Sequence, residues 1–374
     1  MQKIIVIGAG ILGASTAYHL AKLGAKVTLV DRADLGQATD AAAGIVCPWL
    51  SQRRNKAWYQ LAKGGARYYP ELIAQLEADG ERETGYQQVG AISLHTELNK
   101  LEQMAERARK RRNDAPEIGE ITILSPSETK RQFPPLSEEY GSVHVSGGAR
   151  VNGRALRESL IRAATKQGVT FHHGNASLEM LGNQVVGIKT AEKRYSSDQV
   201  VLTAGAWSNE LLQPLGVEFL VKPQKAQIIH LELPKTDTSQ WPVVMPPQNH
   251  YILTFENGRV VVGSTHENEA GFDTRVTAGG IQEILSKALE TAPGLAACTY
   301  LETRVGFRPF TPGFLPVIGA LPRFEGIYLA NGLGASGLTS GPYLGAELAK
   351  LVVGKQTEID PKNYDVDGAI APAK

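Results

Sequence analysis

Apolar positions open the chain as a short continuous run, Lys3 to Ile7, followed by helical spacing from Ile11 to Leu23 that stops at Gly24. A second short run, Val27 to Val30, closes at Asp31. That order predicts a β-α-β unit. The same grammar returns later: Arg154 to Gln167 reads as a helix stopped at Gly168, Val169 to His172 as the strand after it, and Gln199 to Thr203 as another buried strand. Continuous apolar strands separated by helices suit a mostly parallel sheet.

Between these pieces the pattern changes. The segment from about Gln87 to Gly141 holds a long charged helix, Thr96 to Arg112, and a proline-marked loop at Phe133-Pro134-Pro135, so a second unit is expected to begin there. From Val221 to Thr265 the apolar runs are short, and Phe255-Glu256-Asn257-Gly258-Arg259-Val260 carries the Asn-Gly signal of a tight hairpin. That region should be antiparallel. After a helical stretch, Gly280 to Thr291, the first style resumes with the strand Gly326 to Ala330, a glycine cluster and a terminal helix, Tyr343 to Val353. The first unit is therefore discontinuous. The Ala-Pro tail, Ala369 to Lys374, is expected to fray.

Composition narrows the classes. At roughly one domain per 150 residues, 374 residues make two or three packing units. With 42% hydrophobic and 21% charged residues, the chain is neither disordered nor fibrous nor membrane-spanning. The first apolar stretch is broken by Gly8, Gly10, Gly13, His19 and Lys22, so it belongs to the fold. Lys+Arg 39 against Asp+Glu 38 leaves +1, too little for a field that holds nucleic acid or an anionic membrane. The basic run Arg107 to Arg112 ends a helix, where cations offset the macrodipole and stay solvated. Cys47 and Cys298 lie far apart without a Cys/His cluster, which argues against a disulfide framework or a metal site and fits a reducing cytoplasm.

Candidate chemistry starts at Gly8-Ala9-Gly10-Ile11-Leu12-Gly13, a G-x-G-x-x-G between strand and helix, with Asp31 eighteen residues beyond the last glycine. Gly8 permits the tight turn, Gly10 lets a pyrophosphate approach the main chain, and Gly13 lets helix pack on strand. The helix start offers free N–H groups, and Asp31 can accept from a ribose hydroxyl. At this point NAD and FAD both remain open.

Four further segments separate them. Asp31-Arg32 with Gly36-Gln37-Ala38-Thr39-Asp40-Ala41-Ala42-Ala43-Gly44-Ile45 resembles the loop by which the D-amino-acid oxidase and glycine oxidase family of flavoenzymes carries its cofactor from adenine end to ring. Small side chains from Ala38 to Gly44 leave room for a ligand along the backbone, with Ile45 at the edge of a flat ring. Val200-Val201-Leu202-Thr203-Ala204-Gly205-Ala206-Trp207 is similar to that family's A-G-A-W segment beneath the cofactor. Arg304-Val305-Gly306-Phe307-Arg308-Pro309-Phe310-Thr311-Pro312-Gly313-Phe314-Leu315-Pro316-Val317-Ile318-Gly319 resembles its G-x-R-P-x-T-P-D-G-x-P-x-I-G segment. Asn331 to Pro342 resembles the glycine-rich turn opening the last helix at the flavin pyrimidine. A helix start there would favour the negative charge of reduced flavin.

The chain is thus identified as a member of the FAD-dependent amine oxidoreductases of the D-amino-acid oxidase type, most similar to glycine oxidase. The resemblance implies an α/β and α+β fold: a Rossmann-like FAD-binding domain from residues 1–86, 146–218 and 304–374, and a second domain on a mostly antiparallel sheet from 87–145 and 219–303. It implies cofactor contacts at Gly8, Ala9, Gly10, Ile11, Leu12, Gly13, Asp31, Arg32, Ala38, Thr39, Ala42, Ala43, Gly44, Ile45, Ala176, Ala204, Gly205, Trp207, Arg308, Gly332, Gly334, Ala335, Ser336, Gly337, Leu338 and Thr339.

In this family hydride passes from the substrate α-carbon to flavin, and the imino acid hydrolyses to a 2-oxo acid. The protein's task is to anchor a carboxylate, which suits arginine's planar fork. Arg308 matches the family's anchoring arginine, with Arg304 as the alternative, and Tyr251 matches a tyrosine facing the flavin. His250, next door, is expected on the opposite, solvent face. The implied reaction is oxidation of glycine, sarcosine, D-alanine or D-proline with O2, giving glyoxylate or another 2-oxo acid, ammonia or methylamine, and H2O2, with a family link to thiamine biosynthesis. The alternatives are a D-amino-acid dehydrogenase passing electrons to a quinone or protein, and a non-catalytic FAD-binding protein. Gly313, Leu333 and Ala335 depart from residues common in relatives, which leaves substrate choice open. The sarcosine-oxidase branch carries a flavin-linking cysteine in the segment here occupied by Gly313-Phe314-Leu315 and a lysine near Val261. Both are absent, so FAD is expected to be noncovalent. A homo-oligomer is expected, with no metal, nucleic acid or membrane span.

Overall fold

A computed structural model describes residues 1–372. Lys3–Ile7 is the inner strand of a six-stranded sheet, flanked in parallel by Gln199–Leu202 and Lys26–Asp31. Thr170–His173 adds one edge, Ile327–Asn331 extends the other, and an antiparallel strand, Val317–Ala320, closes it. Alternation explains why these strands are apolar on both faces. Ile4 and Val6 pack with the helices Ile11–Lys22, Gly153–Lys166 and Gly337–Val352. Ile5 and Ile7 pack under a three-stranded sheet, Ser177–Leu181, Gln184–Lys189 and Arg194–Ser196. With no solvent side, a polar residue has no place in the strand.

The second sheet has eight strands in the order Thr299–Phe310, Lys222–Glu232, Arg259–Gly263, Tyr251–Thr254, Val243–Met245, Ala91–His95, Gly141–Val145, Ile121–Leu124. All neighbours are antiparallel except Val243–Met245 against Ala91–His95. The Asn-Gly hairpin forms as expected, with Asn257 at φ 58° and Gly258 at φ 71°. Helix Ala278–Thr291 covers one face, through Ile284 and Ala288. Residues of this sheet such as Val145, Leu253 and Val261 join the same buried cluster as Ile4 and Val6.

Three expectations need correction. The last helix begins at Gly337 rather than Tyr343, because Pro342 sits inside it. Pro342 has no N–H for the Leu338 carbonyl, and the Tyr69 hydroxyl donates to that oxygen instead. The tail is tied down: Ala369 is fully buried, its carbonyl accepts from Leu220 N at 2.8 Å, and Ala371 N donates to Glu218 O at 3.0 Å. Ala373 and Lys374 lie outside the described residues. The basic run is only partly solvated. Arg109, Lys110 and Arg112 are exposed, whereas Arg111 turns inward, donating to the carbonyls of Trp49 and of Ser51 (2.7 Å) over the Tyr59 ring.

Both cysteines are free. Among the described residues no helix is long and apolar enough to cross a membrane, and no group of three or more His, Cys, Asp or Glu side chains is placed to hold a metal ion.

Candidate active site

The turn between Lys3–Ile7 and Ile11–Lys22 is held by close backbone packing. Gly8 adopts φ 101°, and a Cβ on Gly13 would sit 1.8 Å from Gly8 O and 2.5 Å from Thr203 Oγ1. Only glycine fits at either position. Asp31 organises the loop that follows its strand: Oδ2 accepts from Ala9 N (2.6 Å), and Oδ1 accepts from Ala33 N (2.6 Å) and Gln37 Nε2 (2.9 Å). Thr39 Oγ1 accepts from Ile11 N at 3.0 Å, capping one of the helix's free N–H groups.

These elements open onto one cavity of about 910 Å³, inside the upper range of ligand pockets, about 300–1,000 Å³. It gathers the fingerprint turn, the 31–45 loop, Ala176, the 203–207 turn, the 306–310 strand end and the 330–339 turn. Every anticipated cofactor residue lines it except Ala9 and Gly13. Those two act one layer behind: the Ala9 N–H is consumed by Asp31, and Gly13 is filled by Gly8 and Thr203. Gly44 lines the wall, yet its missing side chain makes room for Val151 O, which lies 1.8 Å from where a Cβ would stand, rather than for a ligand.

The cavity fits FAD. No acceptor among the described residues pairs with the N–H groups of Leu12 and Gly13. A Cβ on Gly10 would meet nothing nearer than Thr39 Oγ1 at 3.5 Å, and one on Gly205 or Gly337 nothing within 4 Å. Donors and open backbone thus occur where a pyrophosphate and a flat ring need them. At the far end Asn331 braces the glycine-rich turn, donating to Gly205 O (2.9 Å) and Ser208 Oγ (2.7 Å) and accepting from Gly332 N (2.7 Å). Trp58 Nε1 fixes Ser336 at 2.9 Å.

Arg308 projects from the long strand Thr299–Phe310, opposite Gln224 in the register. Its Nη1 donates to Gln224 Oε1 (3.0 Å) and its Nη2 to Ser264 Oγ (2.6 Å). Both partners are neutral, and burial pushes its pKa below the usual arginine value. Arg304 differs. It is committed to Glu302 at 2.6 Å, and the pair, with burial opposing, holds Glu302 down to about 2. Arg304 does not line the cavity. Tyr251 does, half-buried beside Arg308; burial raises its phenol pKa while the guanidinium opposes.

His250 was expected at the surface and is buried, 9% exposed, because helix Ala278–Thr291 covers that face of the sheet; Nε2 lies 3.0 Å from Thr291 Oγ1. Burial, then Lys287, lowers its pKa to about 4. Sequence reasoning missed Gln224, Ser264, Asn249, His266 and Arg53, all of which line the cavity. Asn249 Nδ2 lies 3.3 Å from His266 Nε2, and burial ahead of Arg308 lowers the His266 pKa. The polar run Ser264-Thr265-His266 at the end of a buried strand was the available signal. Among the described residues the only acids lining the cavity are Asp31, Asp34 and Glu210; the latter two pair with Arg32.

The match to known proteins covers the same ground. The family model "FAD dependent oxidoreductase" fits residues 3–351. An oxidoreductase of Bacillus subtilis named YurR, itself uncharacterised, is 66% identical over 99% of this chain and all of its own length. A glycine oxidase of Pseudomonas aeruginosa is 32% identical over 99% of this chain and all of its own. The crystal structure of an iminodiacetate oxidase from Chelativorans sp. BNC1 superposes with a TM-score of 0.94 at 45% identity, covering 97% of this chain and 98% of that one. The chain belongs to the family of FAD-dependent oxidoreductases that includes glycine oxidase, and FAD is its cofactor.

Proposed function

We propose that the protein oxidises glycine or small N-substituted glycines, with Arg308 holding the α-carboxylate and O2 as acceptor. One observation carries this reading: a guanidinium faces the cavity with two neutral partners and, among the described residues, no carboxylate. A desolvated cation held this way is short of an anion, and its fork matches a carboxylate. The likeness to an iminodiacetate oxidase and a glycine oxidase supports the substrate range.

Tyr251 would donate its hydroxyl to the same carboxylate. Gln224 and Ser264 orient the fork by accepting from one nitrogen each, which leaves donors for the substrate. Bound here, FAD would supply the acceptor for the α-carbon hydride and the route by which its two electrons reach O2 as H2O2. The amine loses a proton and becomes an imine, which water splits into glyoxylate and the amine. The cofactor positions named above hold FAD noncovalently. Cys47 lines the cavity, but burial pushes its thiol up to about 12, so it lacks the thiolate that bonding to a ring would use.

Anaerobic mixing of holoenzyme with glycine, sarcosine, iminodiacetate, D-alanine and D-proline tests the reading. Flavin bleaching by N-substituted glycines is expected, then reoxidation in air with peroxide. A flavin that stays yellow with every amine refutes it; slow air reoxidation with fast reoxidation by a quinone makes it a dehydrogenase.

A further inference from the structure

A further guanidinium lines the cavity, that of Arg53. Arg308 and Phe310 lie two residues apart on one face of their strand. The Phe310 ring meets Phe314 edge-on, centroids 5.1 Å apart. Arg53 Nη2 donates to Phe314 O at 2.8 Å, and its guanidinium carbon lies 4.6 Å from the Trp58 ring centre. Arg308, Phe310, Phe314, Trp58 and Arg53 all line the same cavity. Arg53 and Arg308 thus line one cavity, with Phe310 and Phe314 on the wall they share. The Arg53 charge is uncompensated: its one bond is to a carbonyl, and it has no ion pair among the described residues.

The surroundings carry the same sign. Arg53 also lines an adjoining cavity of about 510 Å³ with Arg54, Lys56, Arg107, Arg111 and Tyr59, and among the described residues no carboxylate lines it. Nε and Nη2 of Arg107 and the Tyr59 hydroxyl are buried there without a partner. In a chain whose formal charge is +1, five cations line this adjoining cavity; Asp114 and Glu117 act on Tyr59 from nearby, yet the lining itself presents only positive charge and favours anions. The three acids of the main cavity all sit by Arg32, in the region of the Asp31 loop.

We infer that the site takes a secondary amine carrying two carboxylates, with the α-carboxylate on Arg308 and the distal carboxylate on Arg53. This rests on the proposed oxidation of N-substituted glycines. Trp58 and the Phe314 carbonyl hold the Arg53 fork by stacking and by one N–H, leaving its remaining N–H groups for the second anion. The adjoining cationic cavity concentrates dianions beside the site.

The test is kcat/KM of holoenzyme for iminodiacetate against sarcosine, in the wild type and in Arg53→Gln and Arg53→Lys. Arg53→Gln should lower the dicarboxylate value about 30-fold or more while sarcosine changes less than about 3-fold, and Arg53→Lys should recover part of the loss. Binding of glutarate, a dicarboxylate with no amine to oxidise, followed calorimetrically, should weaken in Arg53→Gln while butyrate binding does not. Equal losses on both amines, no loss on either, or a wild type that prefers sarcosine overturns the inference and leaves the proposed oxidation standing. A flavin reduced by no amine removes the proposed function itself.

Discussion

Replacing Arg308 with Gln separates a substrate anchor from a structural strut. In the free protein this guanidinium has no ion pair among the described residues to lose, only Gln224 and Ser264, and a glutamine amide can still donate near them. Removing a desolvated charge that no carboxylate compensates should leave folding stability unchanged or higher, with Tm within about 3 °C of wild type or above it. Substrate meets the opposite situation. Its carboxylate loses a bidentate, charge-assisted contact, a truncation that costs about 2–5 kcal/mol. At 1.4 kcal/mol per factor of ten, kcat/KM falls by roughly 30- to 4,000-fold. The assay is the anaerobic rate of flavin bleaching against substrate concentration, with Tm and the flavin-to-protein absorbance ratio measured on the same sample. Unchanged kcat/KM refutes the reasoning. So does a fall in Tm beyond about 6 °C with matching loss of bound flavin, which would make Arg308 part of the scaffold.

Other perturbations read other parts of the molecule. Gly13→Ala places a methyl 1.8 Å from Gly8 O, so it should cost about 3 kcal/mol or more and strip the flavin, read as lower Tm and a colourless product. Asp31→Ala frees the N–H groups of Ala9 and Ala33, each bonded at 2.6 Å, and should weaken FAD binding about tenfold or more in a flavin-titration assay while the chain stays folded. Tyr251→Phe keeps the ring and removes one donor, so kcat/KM should drop about tenfold with Tm unchanged. His19 lies 2.7 Å from Ser15 O and 2.6 Å from the Tyr68 hydroxyl, and burial holds its pKa near 4, below the ordinary 6.5. Between those values the unfolded chain binds the extra proton. Its contribution is therefore complete above pH 6.5 and is lost toward pH 4, at up to about 1.4 kcal/mol per pH unit. Denaturant titrations of His19→Gln should show a shallower acid limb; an identical limb contradicts the assignment.

The β-α-β opening was legible because its signals are local. The spacing of Gly8, Gly10, Gly13 and Asp31 is set by one turn and one helix, and the Asn257-Gly258 turn by two residues' backbone preference. Arg308 could be singled out because its motif is contiguous. Arg304 carried a local signal, Glu302 two residues away on the same strand, whereas nothing local said that Arg308 keeps only neutral neighbours. Those neighbours, Gln224 and Ser264, come from distant parts of the chain.

The β-α-β opening, the Asn-Gly hairpin, the fingerprint turn and the guanidinium candidate were written in the sequence by itself, through short-range periodicity and steric rules that act within about one turn or strand. Tertiary structure decided the rest. Gln224 meets Arg308 across 84 residues of chain, and Arg53 reaches Phe314 across 261, through pairings that no local preference encodes. It also decided burial: His250 alternates away from Tyr251 as a strand neighbour should, but whether that face meets water or a helix depends on how helix Ala278–Thr291 packs. Charge and solvation at the site follow from packing, and packing is a property of the whole chain.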